Sequence, residues 1–256
     1  MKILNLGCGH VVVKDWVNVD IDSNFPNVHK MDFLNGLDFP DNTFDSVYMS
    51  HVLEHIPLSY ISRVMCEVKR VLKKDGVLRI VVPDLEEMAR SYLGEIDAER
   101  ISGERSWKRE WLTLEFFDQM VRTKSRGLMG NWLDEIATVD EEANRYVKER
   151  VGEAVRFDGS KSSTSKKSLV SLAVDLEVDS KLRVIFGRPS LPKGERHFWV
   201  WDEFSLRDLS QVFEFSVFMR MSHKESTLGD LFRIVDVDDS GHARKGKSSI
   251  YVELIK

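Results

Sequence analysis

Between residues 2 and 84 short apolar runs alternate with polar breaks, and the spacing of the apolar positions switches between strand and helix periods. Residues 2–6, Trp16–Asp20, Val28–Met31 and Phe44–Met49 read as strands, the last preceded by the turn Phe39-Pro40-Asp41-Asn42-Thr43. Pro57 opens a helix in which Ile61, Val64, Met65, Val68, Val71 and Leu72 recur on one face. Lys73-Lys74-Asp75-Gly76 predicts its end, with cations in the last turn and glycine at the cap. Val77–Val82 reads as a fifth strand, continuous and β-branched as a fully buried parallel strand should be, stopped by Pro83-Asp84. Strands interleaved with helices predict an α/β fold: a Rossmann-like, doubly wound, mostly parallel sheet.

From about Leu85 to Val155 the pattern is helical and rich in charge and tryptophan. Trp107, Trp111, Leu114, Phe117 and Val121 keep helical spacing, and Trp132, Leu133 and Ile136 suggest another helix. Asp118 and Arg122, four apart, predict a surface ion pair. Asp158–Ser168 is a polar, low-complexity stretch expected to be mobile, and Gly187–Gly194 is irregular. A helix from about Asp202 to Val212, with Phe204, Leu206 and Leu209 inward, precedes strands at Phe215–Met221 and Ile250–Leu254. That order suits the antiparallel end of the sheet. The organisation expected is one domain over 1–256, with 85–196 a helical insertion or lid and irregular loops within it.

The predicted strand ends carry a series of polar and glycine residues. Gly7-Cys8-Gly9 follows the first strand, where glycine lets the backbone close on a ligand. Asp20 ends the second, and a carboxylate there can accept both hydroxyls of a ribose. Asp32-Phe33 follows the third, an acid able to accept from an adenine amine beside a ring able to flank the base. Ser50-His51 follows the fourth. In doubly wound sheets ligands sit beyond these carboxyl ends.

A net charge of −5 gives no electrostatic reason to expect nucleic acid or an anionic membrane as partner. Two cysteines, Cys8 and Cys66, do not suggest a disulfide framework, and a reducing, cytoplasmic setting fits better. No run is long and apolar enough to span a bilayer, and Asn5, Gly7 and Gly9 interrupt any signal-peptide core.

Leu4-Asn5-Leu6-Gly7-Cys8-Gly9, Asn18-Val19-Asp20-Ile21, Phe39–Asp45, His51-Val52-Leu53-Glu54-His55 and Arg70–Gly76 together resemble class I S-adenosylmethionine-dependent methyltransferases of the type 11-like group. The resemblance implies a seven-stranded sheet with S-adenosyl-L-methionine as cofactor. Gly7, Cys8 and Gly9 would lie on its methionine part, Asp20 and Ile21 at the ribose, Asp32 and Phe33 at the adenine, and Ser50 and His51 beside the methyl donor. The nearest group is associated with polysaccharide and glycan biosynthesis, and Arg244–Glu253 resembles it too. The implied partner is a small-molecule or glycan-precursor acceptor.

Only six residues separate Gly9 from Trp16, so the usual first helix is missing or reduced to a turn. A dinucleotide enzyme rests a pyrophosphate on that helix and uses a third glycine, where this chain has Val12. A cofactor without phosphate loses little by its absence.

Methyl transfer from a sulfonium needs alignment, exclusion of water and, for a hydroxyl acceptor, a proton acceptor. His51 is the first candidate for that base, and His197, opening the segment after the insertion, is the second. His51, Glu54 and His55 at i, i+3 and i+4 would share a helix face and could ligate zinc. Glu-His at this place also occurs in metal-free relatives, and Pro57 puts the helix start later, so no metal is expected. Cys8 reads as a small buried side chain rather than a nucleophile. The function expected is methylation of a small-molecule or sugar acceptor, with a non-catalytic cofactor-binding module as the alternative.

Overall fold

The computed structural model describes residues 1–137, 140–152 and 194–256. The expectations for Asp158–Ser168 and for residues 187–193 lie outside the described residues. The chain divides into two compact units, one of residues 1–85, 197–244 and 249–256, the other of residues 86–196 and 245–248.

The first unit opens with β1 (Ile3–Leu6), β2 (Val17–Asp20), β3 (Val28–Lys30) and β4 (Phe44–Ser50). Helix α1 (Leu58–Val71) follows and leads into β5 (Leu72–Pro83). Helix α1 has Pro57 at its N-cap and buries Ile61, Val64, Met65, Val68 and Val71, the stripe its sequence spacing demands. Its end differs from the expectation. Leu72 is already extended and pairs with Phe44, while Ser46 pairs with Val77, so Lys73–Gly76 bulges out of β5 instead of capping the helix. Asp75 supplies the left-handed backbone at that bulge, with φ 59°.

The second unit begins along α2 (Leu85–Ser102) and continues through α3 (Trp107–Val121), α4 (Gly127–Trp132) and α5 (Glu141–Val151). Trp111, Leu114, Trp132, Leu133, Ala143 and Val147 form its core. Phe117 and Val121 are 57% and 66% exposed, so the apolar stripe read on α3 is narrower than its spacing suggested. The Asp118–Arg122 pair is buried, not superficial: the contact is 2.5 Å, and Asp118 also accepts from the Leu128 backbone N–H at 2.6 Å. Chain reversal between α3 and α4 makes this carboxylate a joint between two helices. Arg150 is fully buried between Glu115 at 2.7 Å and Glu87 at 2.8 Å.

The first unit resumes with α6 (Glu203–Val212), β6 (Val217–Met221), the single turn α7 (Arg233–Asp236) and β7 (Ser249–Ile255). Asp202 and Ser205 form a capping box at the start of α6. Leu206 and Leu209 face inward as expected, but Phe204, on the first turn, is 71% exposed. The seven strands order as β3-β2-β1-β4-β5-β7-β6. β1 to β5 run parallel, and β7 is antiparallel to both β5 and β6. This is the Rossmann-like, mostly parallel sheet that the alternation of elements predicts. Among the described residues no helix is long and apolar enough to cross a membrane.

One buried polar system spans the late strands. Arg79, in the middle of β5, contacts Asp236 at 2.7 Å and Glu253 at 2.9 Å, and the Tyr48 hydroxyl donates to Asp236 at 2.6 Å. Arg79 also lies over the rings of Phe232 and Tyr251. An arginine within a buried strand is tolerable only because both carboxylates compensate it.

Candidate functional site

Five parallel strands deliver their carboxyl ends to one edge of the sheet, and the residues named at those ends stand there. After β1 the chain turns at Gly7 and Gly9, both left-handed at φ 70° and 53°. The Gly7 and Cys8 N–H groups both donate to the Val19 carbonyl, at 2.8 and 3.0 Å. Gly9 N–H donates to Asp20 Oδ2 at 2.8 Å, so β2's terminal acid holds the glycine turn directly. The two glycines serve different ends. A Cβ on Gly7 would collide with the Val52 side chain, whereas no described atom lies within 4 Å of a Cβ on Gly9. Gly7 is needed for packing, and Gly9 faces open space.

Residues 7–16 form turns and no helix, as the short loop implies. The buried Asn18 side chain organises them. Its amide donates to the Val13 and Trp16 carbonyls at 2.9 and 3.1 Å, and its Oδ1 accepts from Val13 N–H at 3.1 Å and from Asn5 Nδ2 at 3.0 Å. Cys8 is buried, and burial together with the nearby Asp20 charge pushes its thiol up to about 12, so it is no nucleophile.

Asp20 Oδ1 accepts from Asp22 N–H at 3.0 Å. Two backbone donors use about two of the roughly four acceptor positions of a carboxylate, which leaves room for ribose hydroxyls. Ile21 is half-buried beside it. Asp32 is half-buried and caps the short 3₁₀ turn Phe33–Asn35 by accepting from Leu34 N–H at 3.2 Å. Phe33 departs from the expectation: its ring is buried within the main hydrophobic core, where the turn points it toward α1, and it does not stand open to flank a base.

Ser50 ends β4, with a buried hydroxyl that makes no hydrogen bond of normal geometry. His51 follows with φ 53°, a left-handed conformation uncommon for a side chain of this size, pinned by its N–H donating to Val81 O at 2.8 Å. The ring lies between two partners: Nδ1 is 3.3 Å from Glu54 Oε1, and Nε2 is 3.1 Å from Ser249 Oγ. A carboxylate on Nδ1 favours the tautomer whose Nε2 can take a proton.

His197 lies 143 residues beyond Glu54 in sequence (197 − 54), yet the fold seats it at the same place. Asp84 bridges to Trp201, Leu85 N–H donates to the Trp201 carbonyl at 2.8 Å, and Phe198 N–H donates to the Glu54 carbonyl at 2.8 Å. His197 is buried, and its ring meets that of His55 edge-on with centroids 4.6 Å apart. It faces the Glu54–His55 turn rather than presenting itself as an open base. The short 3₁₀ turn Leu53–His55, closed before Pro57, puts Glu54 inward and fully buried. Burial pushes the Glu54 carboxyl up, but the His51 contact and the charges of His51, His55 and His197 outweigh it and hold the group at about 2. One ligand atom each from Glu54, His55 and His197 falls within 4.8 Å of the others. The long-range partners Ser249 and His197 are where single-chain spacing carried the least information.

Residues 4–80 match a family model described as a methyltransferase domain. Among solved structures, the chain is similar to a Pyrococcus horikoshii protein at 28% identity over 35% of this chain and 52% of that one, with a TM-score of 0.29. It thus spans about half the length of that protein. It is similar also to a SAM-dependent methyltransferase of Archaeoglobus fulgidus, at 11% identity over 100% of this chain and 86% of that one, with a TM-score of 0.40. A Thermotoga maritima structure described as a possible histamine N-methyltransferase gives 12% identity, 100% and 82% coverage and a TM-score of 0.40. No curated protein matches the chain. The matched segment carries β1 to β4, α1 and most of β5, and with them the ends of β1 to β4 described above.

Proposed function

We propose that this protein is a methyltransferase that moves the methyl group of S-adenosyl-L-methionine to a hydroxyl of a small molecule, a sugar or a glycan precursor. The reading rests foremost on the Gly9–Asp20 contact, which joins a glycine turn facing open space to an acid at the next strand end. The arrangement suits a ligand with a ribose and no phosphate: carboxylate acceptors are at hand, and no helix N-terminus follows Gly9 to attract an anion. Bound there, the cofactor supplies an activated methyl on a good leaving group.

The chain's own residues align and desolvate the reactants. Gly7 and Gly9 shape the loop, Asp20 holds the ribose, Asp32 receives the adenine edge, and Ser50 and His51 border the transferred methyl. His51 takes the acceptor's proton on Nε2, with Glu54 on Nδ1 fixing the ring and stabilising the imidazolium that forms. Ser249, now on Nε2, marks the place where an acceptor hydroxyl would exchange into the hydrogen bond. General-base assistance of this kind contributes about 10²- to 10⁴-fold in rate.

Calorimetry with S-adenosylmethionine and its demethylated product tests the cofactor, and a labelled-methyl assay over sugars and small hydroxylated acceptors tests the reaction. The proposal requires binding, transfer to a hydroxyl, and a His51→Ala variant with wild-type cofactor affinity but a turnover lower by at least a hundredfold. Binding with no transfer to any acceptor would instead indicate a non-catalytic cofactor module, and unchanged turnover in the variant would remove His51 from the base role.

A further inference from the structure

The buried acids of the described residues are, with one exception, matched to cations that hold them. Asp236 and Glu253 share Arg79, Glu115 has Arg150, Asp118 has Arg122, and Asp84 has Arg220. Glu54 differs. It is fully buried, pairs among the described residues with imidazoles and with no arginine or lysine, and has only the 3.3 Å contact of Oε1 with His51 Nδ1, while Oε2 has no hydrogen-bond partner. Leaving a buried carboxylate oxygen without a partner is unfavourable, and a bound cation would remove that penalty.

We propose that Glu54, His55 and His197 form a binding site for one divalent transition-metal ion of the zinc class. The donor set is the first argument: two imidazoles and a carboxylate suit borderline ions such as Zn²⁺, Co²⁺ or Ni²⁺ and not Ca²⁺ or Mg²⁺, which prefer oxygen. Spacing is the second. The three ligand atoms lie within 4.8 Å of one another, and small side-chain rotations close that to the about 3.4 Å separating tetrahedral ligands placed at about 2.05 Å from zinc. The third is the buried Glu54 carboxylate itself, since Oε1 can stay on His51 Nδ1 while Oε2, which has no hydrogen-bond partner, goes to the ion. Three protein ligands leave a fourth position for water or an acceptor oxygen. The ion would also clamp the segment at His197 to the turn after β4, adding to the Phe198–Glu54 backbone bond.

The test needs no turnover, so its outcome is separable from that of the methylation assays. Full-length protein stripped with a chelator is titrated with Co²⁺ and then Zn²⁺, followed by calorimetry and by visible absorption. The expected result is one equivalent of Co²⁺ with intense visible bands of a low-coordinate site, displaced by Zn²⁺. His55→Ala and His197→Ala should each weaken binding at least tenfold, and His242→Ala, on an 80% exposed side chain away from the cluster, should leave it unchanged. Added Zn²⁺ should raise the melting temperature of the wild type and of His242→Ala but not of His197→Ala. The proposal is overturned if wild-type protein takes up no Co²⁺ at micromolar concentration, or if both cluster variants bind as it does. Either result would mean that charge from the three histidines alone compensates Glu54.

Discussion

The two glycines of the first turn should fail in different ways when given a side chain, and the structure sets the size of each failure. In Gly7→Ala the new Cβ adopts φ 70° and runs into Val52, itself packed in the core beneath the turn. A left-handed alanine costs about 1 kcal/mol, and forcing a methyl into filled space costs about 1–3 kcal/mol more. The expected loss is thus about 2–4 kcal/mol, or a fall in melting temperature of about 5–15 °C for a chain of this size. In Gly9→Ala only the backbone term remains, because no described atom is near the new methyl. Its stability should fall by about 1 kcal/mol, yet the methyl enters the space where the cofactor would lie, so affinity should drop at least tenfold, about 1.4 kcal/mol. Thermal melts give the first quantity and calorimetry with the demethylated cofactor gives the second. Val52→Ala added to Gly7→Ala should restore part of the loss beyond additivity, by about 0.5–2 kcal/mol. Equal melting temperatures for the two glycine variants, or normal affinity in Gly9→Ala, would refute the division between packing and binding.

Three further perturbations test the frame around that turn. Arg79→Met leaves Asp236 and Glu253 buried without their cation and should cost about 3–5 kcal/mol in urea denaturation; a cost below about 1 kcal/mol would mean that the trio is not buried as described. Glu67 accepts from Arg70 and from Leu37 N–H at 2.8 Å, and these contacts hold its carboxyl at about 2, below the usual 4.5. The stability it contributes, about 2 kcal/mol, is therefore present above pH 4.5 and lost as pH falls toward 2, so Glu67→Gln should lower the melting temperature at pH 7 and flatten the acid limb in that window. Asn18→Ala strands the Val13 N–H and C=O groups and should cost about 2–4 kcal/mol, measured by the same denaturation, with the loop 8–16 exchanging amide hydrogens faster than the rest of the unit.

What could be read from residues alone was the part governed by local periodicity. Val28, Phe44, Pro57 and Ile250 each opened an element within a residue or two of its observed start, because burial on one or both faces leaves a period in the sequence. Lys73–Gly76 shows where that stops: cations and a glycine after an apolar helix resemble a cap, but Leu72 is captured by Phe44 on the neighbouring strand, and tertiary pairing overrides the local signal. Asp118–Arg122 looked superficial because i, i+4 pairs usually are, and only the return of α4 buries it. Phe33 looked like a platform and is core. Arg79 within Val77–Val82 belongs to a buried ion system that the strand reading did not anticipate, because its partners Asp236 and Glu253 lie more than 150 residues on. The site divides in the same way. Gly7, Gly9 and Asp20 follow from strand-end logic, whereas the meeting of Glu54 and His55 with His197, and of His51 with Ser249, depends on chain returns that carry no local period.

The loop between β1 and β2 joins these observations into one physical constraint on the ligand. A helix after a glycine turn offers an anion its first unpaired N–H groups and the positive end of its dipole. Here five of the corresponding N–H groups point inward: Gly7 and Cys8 N–H go to Val19 O, Gly9 N–H to Asp20, Val11 N–H to Cys8 O and Val13 N–H to Asn18. Asn5 Nδ2 donates to Val11 O at 2.9 Å and closes the same network from the strand side. A loop with most of these donors turned inward, and a carboxylate at its rim, disfavours phosphate and suits hydroxyl or ammonium groups. The cofactor proposed above meets those demands with its ribose hydroxyls, its sulfonium and the ammonium of its tail. On the proposed reading, the loop that Asn5 and Asn18 hold without a helix favours a cofactor lacking phosphate, although neither asparagine need touch it.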